Sequence, residues 1–167
     1  MTAEDQRLSP DAIERRLAAR RPDPAVDALF GAEAHRELRR LAAEARRRRG
    51  GQRVLILPGI MGSTLGSRRG DRRDVLWFDP VEIALGRLTR LALPSKRRIE
   101  PLGVLLFTYL RLKLSLRAGG FDADFHPYDW RRSVADAGAA LAERVGRERR
   151  LPVHLVAHSM GGLVARA

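Results

Sequence analysis

The 167-residue chain contains no cysteine. That absence excludes a disulfide scaffold, a thiolate zinc site, an iron–sulfur cluster and a cysteine nucleophile. It also lacks any apolar run near the ~20 residues that a membrane-spanning helix needs. Its first stretch, MTAEDQRLSPDAIERR, is charged from residue 4 onward and has no apolar segment of the secretory kind. A cytoplasmic location, with membrane association at most, is the expectation. No G-x-G-x-x-G phosphate cradle, internal repeat or low-complexity linker is present.

What is present fits a globular domain: 44% hydrophobic and 31% charged residues. There are 32 Lys and Arg against 20 Asp and Glu, a formal net charge of +12. Such an excess points first to nucleic acid, whose counterions clustered cations release. Two facts turn the reading away from it. Thirty of the 32 cations are Arg, alongside abundant Ala, a pairing that GC-rich coding also produces. The excess is uneven as well: net +3 over 1–51, +8 over 52–118 and +1 over 119–167. An electrostatic role therefore belongs to the middle third.

Residues 1–51 read as a helical N-terminal extension. Ser9 is a candidate N-cap ahead of Pro10, with Ile13 and Leu17 four apart, and Pro22 and Pro24 end that helix. A second helix is expected from Ala32 to about Arg48, with Leu38, Leu41 and Ala45 on one stripe and Gly50-Gly51 stopping it. The Arg46–Arg49 run suits the negative end of the helix dipole better than a nucleic-acid contact.

From residue 52 the pattern is that of alternating strands and helices. Val54–Leu57 is wholly apolar and suits a strand buried on both faces of a parallel sheet. Ser67–Asp74 is expected as an exposed loop. Asp79 is expected to cap a helix from Pro80 to about Leu91, with Glu82 placed as in a capping box. Residues 102–117 mix the two periods, and a helix ended by Gly119-Gly120 is favoured. Asp122–Phe125 leads a second strand, Ser133 caps a helix running to about Arg147, and Val153–Ala157 is a third strand. The order implies an α/β fold with a parallel sheet and flanking helices.

The chemistry lies where the third strand ends. Ala157-His158-Ser159-Met160-Gly161 joins an apolar strand directly to a helix. A serine on such a turn is a nucleophile elbow: residues two before and two after must be small, and Ala157 and Gly161 are. The turn holds the Ser159 hydroxyl clear of the sheet and aims the Met160 N–H at the same place. An acyl-transfer serine needs a second oxyanion donor from the loop after an earlier strand. Pro58-Gly59-Ile60-Met61-Gly62-Ser63 occupies that position, with Gly59 and Gly62 allowing close approach and Ile60 the candidate donor.

Three runs in this order, VLILPGIMGSTL from Val54, PYDWRRS from Pro127 and VHLVAHSMGGLVAR from Val153, resemble the lecithin:cholesterol acyltransferase family. The resemblance covers residues 52–167. It implies an α/β-hydrolase fold, a Ser-acid-His triad, action on lipid acyl esters as acyltransferase or phospholipase, and no metal or organic cofactor. It further implies a lid or cap, here within 73–118. The +8 of residues 52–118 itself suits an anionic lipid surface as partner. By the same resemblance Ser159 would be the nucleophile and Ile60 and Met160 the oxyanion donors. Asp129 and Arg131 are expected to pin a loop by a charge-assisted hydrogen bond. A generic carboxylesterase or lipase is the alternative enzyme. A basic membrane- or nucleic-acid-binding module using Arg46–Arg49, Arg68–Arg73 and Lys96–Arg98 is the non-enzyme alternative.

In this fold the acid and the histidine follow the serine in the chain. After Ser159 stand only MGGLVARA, and the four histidines, His35, His126, His154 and His158, all precede it. Neither triad partner is therefore expected within these residues, and a fragment of a larger domain is the expectation. His154 is expected to be packed in the core.

Overall fold

The computed structural model describes residues 10–19, 23–48, 50–69, 72–94 and 98–167. Its centre is β1 (Arg53–Leu57), flanked by β5 (Asp122–Phe125) on one side and β6 (Val153–Ala157) on the other, all parallel. Val54 stands opposite Ala123 and His154, and Ile56 opposite Phe125 and Val156. The unbroken apolar run of β1 follows from burial on both faces. Val54 and Ile56 pack with Val104, Tyr109, Ala123 and Phe125; Leu55 and Leu57 pack with Tyr128, Ala137, Leu141 and Val164. The first face is covered by α5 (Leu106–Ala118), and the second by α6 (Val134–Gly146) and α7 (Met160–Val164). The chain is thus a mixed α/β protein with a three-stranded parallel sheet between helices.

β6 pairs only with β1 among the described residues, and much of it is exposed. His154 is exposed and not a core histidine, because this edge position leaves its face uncovered.

A second, antiparallel sheet is formed by β2 (Ser63–Arg69) between β3 (Arg72–Trp77) and β4 (Glu100–Val104). The expected loop over Ser67–Asp74 is the end of a hairpin instead, with Ser67 opposite Asp74 and Arg68 opposite Arg73. Its cations hid the strand. Arg68 pairs with Glu100 at 3.5 Å and Arg73 donates to the Leu102 carbonyl at 3.4 Å. Gly66 permits the hairpin, since a Cβ there would lie 2.1 Å from the Asp74 carbonyl oxygen.

Asp79 caps α4 (Pro80–Ala84) by accepting the Val81 N–H at 2.8 Å. The helix stops early at Gly86, whose φ is 66°, and a 3₁₀ turn over Arg87–Leu91 completes the expected segment. Glu82 carries Arg87 and Arg90 at 3.0 and 2.9 Å. In the ambiguous stretch, β4 takes residues 102–104 and the helix begins at Leu106, ending at Gly119-Gly120 as expected.

The N-terminal region holds α1 (Pro10–Leu17), α2 (Pro24–Phe30) and α3 (Ala32–Arg47). Pro24 opens a helix rather than only ending one, because Asp23 accepts the Ala25 N–H at 2.9 Å and proline suits the first turn. Ser9, Pro22, Arg49, Lys96 and Arg97 lie outside the described residues. Ile13, Leu17, Val26, Leu38, Leu41 and Ala42 form one core with Leu110 and Leu114 of α5; Ala42 takes the place expected of Ala45.

One ionic contact reinforces that packing. Lys113, 1% exposed, sits 2.9 Å from Glu14 Oε1 on α1 and 2.9 Å from Asp124 Oδ1 on β5, its ammonium 4.7 Å from the centre of the Phe125 ring. Arg117 joins Glu14, and Arg53 approaches Asp124 at 3.6 Å. Burial alone would raise the Asp124 carboxyl, but Lys113, the Phe125 N–H and Arg53 hold it below its ordinary value.

Candidate active site

Both non-glycine residues with positive φ among those described are here, Met61 at 60° and Ser159 at 53°. A β-carbon in that region costs about 1–3 kcal/mol and persists only where the surroundings fix it. Ser159 has ψ −122° and is exposed at the junction of β6 and α7. The junction is held by His158 N–H to the Leu57 carbonyl at 3.0 Å, Gly161 N–H to His158 and Gly162 N–H to Ser159, both at 2.9 Å.

The smallness required of the elbow is real at Gly161. A Cβ there would sit 2.7 Å from the Pro58 carbonyl oxygen and 2.8 Å from that of Leu57. Both are backbone atoms, so the turn and the end of β1 would have to part. Gly161→Ala is expected to cost about 1–3 kcal/mol, read from the denaturant midpoint.

The loop after β1 is brought against this serine. A Cβ on Gly59 would lie 3.1 Å from Ser159 Cβ and 3.0 Å from His158 Nδ1. Gly62 N–H closes the turn onto the Gly59 carbonyl at 3.0 Å. The chain has two Trp and two Tyr, and the polar group of every one binds this loop. Tyr128 donates to the Pro58 carbonyl at 2.9 Å, Trp77 to that of Met61 at 2.7 Å and Trp130 to that of Ser63 at 3.1 Å. Tyr109 accepts the Gly59 N–H at 2.9 Å. Ser63, wholly buried, accepts the Tyr128 N–H at 3.1 Å, and the Gly62 carbonyl accepts the Leu105 N–H at 2.9 Å.

Ile60 alone in the loop makes no hydrogen bond with the described residues. Its N–H, like that of Met61, is therefore unspent among the described residues, and Ile60 is the residue the sequence offers as donor. Met160 N–H is likewise unspent, as expected of a first helical residue. The structure thus gathers Gly59, Ile60, Gly62, Ala157, Ser159, Met160 and Gly161 at the end of β1 and β6.

Burial pushes the Tyr128 phenol up to about 12, with Tyr109 adding to the effect, so it remains a donor through the physiological range. Beside it, Asp129 binds Arg131 through both carboxylate oxygens at 2.8 and 2.6 Å, and Arg131 also reaches the Leu91 carbonyl at 3.0 Å. Burial would raise the Asp129 carboxyl; the Arg131 bonds and charge, with Arg132, hold it below its usual range. The pair pins the 3₁₀ turn to the site's flank, as the two-residue spacing suggested.

Of the histidines, His158 spends Nδ1 on the Tyr109 hydroxyl at 3.0 Å. His126 is buried, its Nε2 has no partner among the described residues, and burial, with the Arg144 charge, favours its neutral form. His35 is buried against Asp27 at 2.6 Å, in the N-terminal helices. No hydrogen bond to the Ser159 hydroxyl is formed by the described residues. The loop and the start of α5 also carry exposed apolar side chains. Ile60, Met61 and Phe107 are exposed, Phe107 is edge-on to Phe78 at 6.3 Å, and Phe78 to Trp77 at 5.3 Å. Among the described residues no cluster of ligands could hold a metal, and no helix is long and apolar enough to cross a membrane.

Sequence reasoning missed Tyr109 and Trp77 as supports of the loop, because each lies on a different element and meets the loop only in the fold; Trp130 and Tyr128 stand in the PYDWRRS run, whose sequence does not say what they hold. Comparisons with family models, curated proteins and solved structures return no match to this chain.

Proposed function

We propose that the chain carries the serine half of an α/β-hydrolase site, similar to that of the lecithin:cholesterol acyltransferase family, that acts on lipid acyl esters. The observation that carries the reading is the pairing of a strained, exposed Ser159 with an unspent Ile60 N–H on a loop fixed at every other residue. Strain of this kind is retained where a side chain must be presented to a ligand.

In the reaction proposed, Ser159 Oγ attacks the ester carbonyl and loses its proton to a general base. The carbonyl oxygen gains the charge, which the Ile60 and Met160 N–H groups meet, each such donor being worth about 3 kcal/mol in the transition state. The alkoxide leaves with the proton, and an alcohol or water takes the acyl group from Ser159. The general base is assigned to none of the four histidines. The exposed apolar side chains of Ile60 and Met61 on the loop, and of Phe107 on α5, suit an acyl chain. The +8 of residues 52–118 fits an anionic lipid surface, at about 1 kcal/mol per nearby cation.

A p-nitrophenyl acyl ester given to the full-length protein tests this. A burst of nitrophenol stoichiometric with protein, and an acyl adduct on Ser159, are expected. Turnover that leaves an adduct elsewhere, or no release by folded protein, overturns it.

A further inference from the structure

We infer that Tyr109 is a positioning residue for this site: its hydroxyl occupies the Gly59 N–H and, through its own proton, fixes the tautomer of His158. The inference rests on the proposed role of Ser159 only for its effect on rate.

The argument is a count of protons. Gly59 N–H can only donate, so the Tyr109 oxygen accepts there. Tyr109 is 6% exposed and has one further partner, His158 Nδ1 at 3.0 Å. The phenol proton would be buried without an acceptor unless it went to that nitrogen. Nδ1 is then unprotonated and the neutral His158 ring carries its proton on Nε2. One hydroxyl thereby links the oxyanion loop, at Gly59, to the residue before the nucleophile. With Gly59 N–H so occupied, the loop's unspent donors among the described residues are the N–H groups of Ile60 and Met61.

Tyr109 owes its own place to α5. Leu110 and Leu114, on the adjoining stripe, pack against α1, α2 and α3, and Lys113, one turn on, is bound to Glu14 of α1. The N-terminal helices thus brace the helix that carries the hydroxyl. That gives α1, α2 and α3 a part in the site although no hydrogen bond or ion pair joins their described residues to Ser159.

Tyr109→Phe removes one oxygen and keeps the ring. In ¹⁵N-labelled full-length protein, wild type is expected to show an unprotonated, hydrogen-bonded His158 Nδ1 and a downfield Gly59 amide proton. In Tyr109→Phe the Gly59 amide is expected to move upfield and exchange with solvent, and the His158 Nδ1 signal to shift. The rate of Ser159 acylation is expected to fall about tenfold to a hundredfold in kcat with KM little changed, as for a displaced reacting group. If Tyr109→Phe does not fold, His158→Ala serves, and there the Gly59 amide is expected to stay downfield. Unchanged Gly59 and His158 resonances in Tyr109→Phe, or a Gly59 amide that moves fully in His158→Ala, overturn the inference. So does a normal kcat beside altered resonances. If wild type is itself not acylated, the proposed function has failed, and the resonances alone decide on Tyr109.

Discussion

Ser159→Ala is expected to lower acyl-ester turnover by at least about 10⁴-fold, almost all of it in kcat. The loop after β1 survives the change, so substrate binding should be nearly preserved. What is lost is the oxygen that forms the acyl-enzyme. The same position makes a second, separable prediction. Its φ of 53° is one that glycine adopts freely and alanine does not. Ser159→Gly should therefore be about 1 kcal/mol more stable than Ser159→Ala, and equally inactive. Paired denaturant titrations with steady-state kinetics on the two variants check both parts. A structural turn without catalytic duty would give the stability difference and no loss of turnover.

The combined change Glu14→Gln and Asp124→Asn is expected to cost about 3–5 kcal/mol, the range for stranding a buried charge. Lys113 is 1% exposed and these two carboxylates are its ion-pair partners. Either single change leaves one partner and should cost less than half as much. Adding Lys113→Met to the double variant should recover most of the loss, because a well-packed apolar side chain replaces an unpaired cation. The pH dependence has the matching sign. The Asp124 carboxyl titrates lower in the folded chain than its ordinary 3.8. Its contribution to stability is complete above that value and is lost as pH falls through the folded one. Wild type should therefore lose this contribution progressively below about pH 4, and the triple variant, which lacks the carboxyl, should lose less, by circular dichroism.

The parallel sheet and its helices were legible because each signal was local. Val54–Leu57 is apolar at every position, Ser133 caps α6 through the Asp136 N–H, and Gly119-Gly120 ends α5. The elbow was legible for the same reason, since strand, small residues and helix adjoin in the chain. The antiparallel sheet was hidden because Arg68, Arg69, Arg72 and Arg73 crowd the hairpin end with cations, two of which are seen to find partners on β4. Pro24 was misread because one residue both ends and begins helices, and only the Asp23 cap decides. The support that Tyr109 gives the loop after β1 was beyond reach, since Tyr109 and Gly59 stand 50 residues apart and their bond has no counterpart in local pattern. His154 was misplaced because a strand's sequence does not say whether a neighbour covers it.

The most direct test is intact-mass analysis of the folded, full-length protein after treatment with a fluorophosphonate probe. The predicted result is one adduct per chain, mapped to the peptide bearing Ser159 and absent from Ser159→Ala. No adduct on folded wild-type protein, or an equal adduct on Ser159→Ala, would contradict the account.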